Sequence, residues 1–189
     1  MGQLHNNNLV YLPEARDIAI NILKNGGKIH LHVISESMQP CLLPGDIIQI
    51  SSVNPINLHL GDMIVFQRGS ELITHRLLKW DLSGYFTKGD SSLGLDDRVL
   101  GDSIIGVVEE INRNGHIIIL KGNYYKIIAR ALGWLEFRKS QAYLQYKEAL
   151  EFPVSGKRII NLVRQSKLLF YRLVIIVNRF SIKFIHLYV

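Results

Sequence analysis

Between Lys28 and Leu120 the apolar residues come in short bursts, many of them at every second position. In "KIHLHVI", Ile29, Leu31 and Val33 alternate with Lys28, His30 and His32, the period of a half-buried strand. The same reading predicts strands at 46–51 (DIIQIS), 62–67 (DMIVFQ), 72–80 (LITHRLLKW), 84–88 (GYFTK), 103–111 (SIIGVVEEI) and 116–120 (HIIIL). Turn residues separate them, among them Asn54-Pro55, Arg68-Gly69-Ser70, Leu82-Ser83-Gly84 and Asn114-Gly115. Many short strands with no helix between them predict an antiparallel sheet or small barrel.

The flanks read differently. Residues 13–25 predict a helix: Pro13 suits its first turn, Glu14 favours that end of the dipole, and Gly26-Gly27 ends it. Ile18, Ile20, Ile22 and Leu23 are expected to form its apolar face. Residues 123–149 predict a second helical stretch with a soft break at Gly133, and 157–187 a third beyond Pro153 and Gly156. The expected organisation is an N-terminal helical segment (1–27), a β domain (28–121), a helical extension (122–152) and a C-terminal tail (153–189).

Composition narrows the classes. In 189 residues, 48% hydrophobic content supports a packed core rather than disorder. Cys41 is the single cysteine, and the seven histidines show neither C-x-x-C nor H-E-x-x-H spacing, so no metal site is expected. The net charge of +6 is unevenly placed: residues 152–189 hold seven Lys/Arg and no acid, while residues 1–151 hold 15 basic and 16 acidic side chains. A near-neutral body speaks against nucleic acid, and a basic tail suits an anionic lipid surface. On a helix, Arg158, Arg172, Arg179 and Lys183 fall within about one sixth of the circumference, an amphipathic arrangement suited to membrane or partner contact through 157–189. The N-terminus lacks a signal-peptide pattern, and no uncharged apolar run reaches the ~18 residues of a spanning helix. The expected location is membrane-associated or cytoplasmic.

The chemistry gathers around "SESMQPCLLPGD", residues 35–46. A serine becomes nucleophilic near neutral pH only beside a base, the base needs a group that fixes its tautomer, and the anionic intermediate needs donors. Ser37, His75 in "ITHRLL", and Asp90, Asp96 and Asp97 in "YFTKGDSSLGLDDR" are the candidates.

Four pieces in this order, "SESMQPCLLPGDIIQI", "GDMIVFQ", "THRLL" and "FTKGDSSLGLD", resemble the type I signal peptidase family, over roughly residues 28–108. The resemblance is to the Ser-His-Asp branch found in endoplasmic-reticulum and archaeal members, within the superfamily that includes the LexA-like autoproteases. It implies a mainly β fold: a signal peptidase/LexA-like antiparallel domain with an N-terminal helix and C-terminal helices. It further implies Ser37 as nucleophile, His75 as general base, and Ser35 or the backbone N–H of Ser37 as oxyanion donor. Asp96 fits the His-orienting acid by gapless spacing, with Asp90 shaping the site; Asp97 fits if the loop is one residue shorter. The implied activity is serine endopeptidase cleavage of an extended, signal-type peptide, with no cofactor. Family members carry an N-terminal membrane anchor, which this pattern does not show.

Other readings stand beside this one. Lys79 or Lys88 as base would give a Ser-Lys peptidase, but neither has the sequence context of that base. Self-cleavage in the LexA manner lacks a helix-turn-helix before the β domain. A non-catalytic adaptor could keep the fold and bind through the tail. His30 and His32 read as a polar strand face, Cys41 as a small buried side chain, and Asp46 and Asp62 as turn residues leading into strands.

Overall fold

The computed structural model describes residues 13–151; the expected N-terminal residues 1–12 and the basic tail 153–189 lie outside the described residues. Within them, α1 (Pro13–Lys24) leads into strands β1 (Lys28–His32), β2 (Ile47–Ser51), β3 (Met63–Arg68), β4 (Glu71–Asp81), β5 (Gly84–Lys88), β6 (Ile104–Arg113) and β7 (His116–Ile119). A long helix, α2 (Asn123–Glu151), follows. Every strand window read from the alternation holds a strand. All pairings are antiparallel, in the order β1-β2-β6-β3-β4-β5 with β7 on β6. Among the described residues the fold is mainly β, with one α-helix before the sheet and one after it.

α1 ends as its glycines dictate. Gly26 adopts φ +80°, Gly26 N–H donates to Leu23 O and Gly27 N–H to Ile22 O, closing the last turn by a left-handed residue. Only half of the expected apolar face is used: Ile20 and Leu23 are buried, while Ile18 and Ile22 remain exposed. The helix sits on the sheet through one narrow stripe.

Two apolar clusters flank the sheet. One joins Ile20 and Leu23 of α1 to Ile29, Ile48, Ile50, Met63, Val65 and Val108; the other holds Ile64, Phe66, Leu77, Val99 and Ile104. β3 feeds both, Met63 and Val65 to one and Ile64 and Phe66 to the other. That explains its run of apolar residues in place of alternation. Burying each such side chain contributes about 1.5–3 kcal/mol.

The expected break at Gly133 does not occur: α2 runs through it without interruption. The glycine serves tertiary contact instead. A Cβ on Gly133 would lie 2.9 Å from the backbone nitrogen of Gly61, and one on Gly61 only 1.8 Å from Ala129 O. Helix and turn therefore meet backbone to backbone, which outweighs the weak helix propensity of glycine. Gly61 also has φ +91°. No helix among the described residues is long and apolar enough to cross a membrane.

Gly61→Ala should therefore lower stability by about 3 kcal/mol or more, read as a shift of the urea midpoint, because a clash with helix backbone adds to the strain of positive φ. An unchanged midpoint would contradict the close helix–turn contact.

Candidate active site

Ser37 lies on the turn that follows β1. Gln39 N–H donates to Glu36 O and Leu42 N–H to Met38 O, while Met38 and Leu42 are buried and anchor the turn in the core. Its far end is fixed by Asp46, whose carboxylate accepts from Leu43 N–H at 2.8 Å and from Arg113 Nη2 at 2.7 Å. Asp62 repeats the device, accepting from His59 N–H at 2.8 Å. Both are turn residues that lead into strands, as their Gly-Asp contexts suggest. Ser35 Oγ and Ser37 Oγ are 3.2 Å apart and hydrogen-bonded.

His75 comes from β4, opposite Ile64 of β3 and edge-on to Phe66, with ring centroids 6.2 Å apart. Its Nδ1 is 2.6 Å from Asp96 Oδ2. The loop after β5 brings Asp96 there. Asp96 N–H donates to Thr87 O at 2.9 Å, and Tyr85 and Val99 exchange backbone bonds, so the loop returns along β5. Thr87, wholly buried, donates its hydroxyl to the same Asp96 Oδ2 at 2.7 Å. Burial alone would raise the Asp96 carboxyl, but the hydrogen bonds from His75 and Thr87 outweigh it and hold the group below its ordinary 3.8.

Asp90 and Asp97 sit elsewhere. Asp90 is buried and receives both Arg76 Nε (2.8 Å) and Arg76 Nη2 (2.6 Å). Burial would raise its carboxyl, yet the Arg76 guanidinium keeps it below the ordinary value. Asp97 is exposed and makes no hydrogen bond to His75 among the described residues. Of the three acids, the structure brings Asp96 alone to His75.

The two lysines considered as bases are engaged by other groups. Lys79 is exposed, paired with Asp81 at 3.3 Å and stacked over Phe86. Lys88 is fully buried, pairs with Glu136 of α2 and donates to Ser92 O at 2.8 Å. Burial pushes its ammonium down to about 8 despite the Glu136 carboxylate.

Ser35, Ser37 and His75 line one cavity of about 490 Å³, together with Leu31–Ile34 and Ser70–Thr74. It lies along a seam. β1 pairs on one side with β2, and the 71–75 portion of β4 pairs on one side with β3, so among the described residues both present an unpaired backbone edge. The loop after β5 passes beside Ser37 and His75. A Cβ on Gly89 would stand 2.6 Å from Ser37 O and 3.1 Å from His75 Nε2, so this ring nitrogen and the Ser37 backbone border the same point. No hydrogen bond joins Ser37 Oγ to His75 among the described residues. His30 and His32 are exposed on one face of β1, and Cys41 is buried, its thiol pushed well up by burial.

Thr87, Arg76, Glu136 and Lys139 carry site contacts that the motif reading left without a role. Thr87 lies inside the "FTKGD" segment, where a hydroxyl at the end of a strand is the available signal.

No protein-family model matches the chain, and no curated protein matches it.

A carboxyl depressed in the folded state stabilises above its unfolded value and loses that contribution as pH falls through and below it. Asp96→Asn should thus lower stability by about 1–3 kcal/mol near neutral pH. The gap should narrow as pH drops below 3.8, where the native carboxyl also becomes neutral. Urea melts of both proteins across that range check this, and a constant gap would contradict it.

Proposed function

We propose that the chain is a serine endopeptidase of signal peptidase-like type, with Ser37 as nucleophile, His75 as general base and Asp96 as the acid that orients it. The observation that carries the reading is the His75–Asp96 hydrogen bond, with the other ring nitrogen turned toward the Ser37 segment and both residues on one cavity. A carboxylate on Nδ1 keeps the proton there and leaves Nε2 free to accept one, the arrangement a serine hydroxyl needs. The motif resemblance supports the same assignment independently.

In this reaction Ser37 Oγ attacks the scissile carbonyl as its proton passes to His75 Nε2. Asp96 stabilises the imidazolium, assisted by Thr87, which shares the same carboxylate oxygen. Collapse of the intermediate expels the amine with the proton from His75, and water then releases the acyl group by the reverse sequence. Ser35 Oγ, hydrogen-bonded to Ser37 Oγ at 3.2 Å, is the side-chain donor assigned to the oxyanion, beside the Ser37 N–H. Ser37 Oγ then turns to His75 once substrate fills the cavity; catalytic hydrogen bonds commonly tighten at that stage.

The substrate binds extended in the seam, adding main-chain hydrogen bonds to the edges of residues 31–35 and 71–75 that no described strand pairs. Leu31, Val33 and Leu72, which pack on the same apolar cluster, give it an apolar floor suited to a signal-type segment. Asp90 acts on the scaffold through Arg76.

A fluorophosphonate probe and a fluorogenic signal-type peptide test the assignment. Wild-type protein should be labelled and should cleave. Ser37→Ala and His75→Ala should lose activity by a factor on the order of 10⁴ or more, and Asp96→Asn by a comparable factor. Equal labelling of wild-type protein and Ser37→Ala would sink the proposal.

A further inference from the structure

Beneath the loop that touches Ser37 lies a buried group of charges that the proposed chemistry does not use. Glu136 on α2, 1% exposed, receives Lys88 of β5 and Lys139 of α2, the latter at 3.0–3.1 Å. Lys88 is 0% and Lys139 2% exposed. Each ammonium spends another proton on the backbone of the 89–92 loop: Lys88 Nζ donates to Ser92 O at 2.8 Å and Lys139 Nζ to Asp90 O at 3.2 Å. On its other side that loop grips the nucleophile segment, because Ser91 N–H and Ser91 Oγ both donate to Ser37 O at 3.0 Å.

We propose that Glu136, Lys88 and Lys139 are positioning residues for Ser37: a strut through which α2 sets the 89–92 loop, and the loop sets the nucleophile. The proposal rests on the reading of Ser37 as nucleophile. Its physical argument is one of cost. Taking a carboxylate and two ammonium groups out of water is expensive, and apolar side chains of similar volume often match or exceed the stability of such a cluster. The expense is visible in Lys88, whose ammonium burial pushes down to about 8 while Glu136 pulls it up and Lys139 down again, with Asp90 adding an upward pull. Apolar side chains could fill this space, but they could not donate to two loop carbonyls that face the cluster from one side. Hydrogen bonds from ammonium groups are directional and hold a backbone in place, which dispersion contacts do not. A displacement of about 1 Å at a reacting atom can cost ~100-fold in rate.

The strut separates rate from stability and from substrate binding, and the test reads all three. The triple variant K88M/E136L/K139M in the full chain should melt at or above the wild-type temperature. Its maximal cleavage rate and its rate of fluorophosphonate labelling should fall about 10- to 100-fold. The half-saturating peptide concentration should stay within about twofold, since the seam between residues 31–35 and 71–75 is untouched. Should the triple variant fail to fold, K139M alone, which keeps the Lys88–Glu136 pair and releases Asp90 O, decides on the same three readouts. Wild-type labelling and turnover in a folded variant overturn the strut and leave the nucleophile assignment standing. Absence of labelling in the wild-type protein overturns the assignment on which the strut rests.

Discussion

Arg76 is the side chain on which the arrangement depends. It is 2% exposed, and its guanidinium joins three segments to β4: Nε and Nη2 reach Asp90, Nη1 reaches Gly61 O at 2.8 Å, and Nη2 also reaches Cys41 Sγ. Those partners belong to the loop after β5, the turn that meets α2, and the turn that carries Ser37. A buried guanidinium cannot be left unpaired, so Asp90 is committed to it. This fixes the division of labour among the acids: Asp90 neutralises Arg76, and Asp96 is left for His75.

His75 and Arg76 are neighbours in a strand, so they face opposite ways. One looks into the cavity, the other into the scaffold. Any shift of β4 that disturbed the ion pair would move the imidazole with it. The same logic recurs at Thr87 and Lys88, where the hydroxyl goes to Asp96 and the ammonium to Glu136. Two adjacent pairs on paired strands thus link a polar cavity wall to a buried electrostatic support.

Much of this was legible in the chain. The strands were readable because period-two alternation is bounded by Gly, Asn, Asp and Pro turns, and the Gly-Asp turns at Asp46 and Asp62 follow from local hydrogen bonding alone. Even β3, apolar on both faces, kept its turn boundaries. Gly133 misled because a helix glycine reads as a weak point, whereas here the missing side chain lets the helix touch Gly61, a contact 72 residues away in sequence. Ile18 and Ile22 looked like core because periodicity shows which positions share a face, and not how wide a stripe the sheet covers. The buried lysines were the least visible. Glu136 and Lys139 look like an ordinary solvent-side pair at helical spacing, and Lys88 becomes intelligible only with its partner 48 positions later. The candidates Ser37, His75 and Asp96 were named by motif, but that Asp96 reaches His75 depends on the backbone path from Thr87 to Val99.

The seam between β1 and the first half of β4 sets a condition on whatever enters it. On the proposed reading, the two main-chain edges left unpaired among the described residues take a third strand, and the 71–75 edge runs about 17 Å at strand rise. An occupant must surrender its own backbone hydrogen bonds over some five residues before it can make these. Under that proposal, helices and folded domains would be refused on conformation, ahead of any choice among side chains. Selectivity of this kind would need no repulsive group: it would be a filter for polypeptide that is already unravelled.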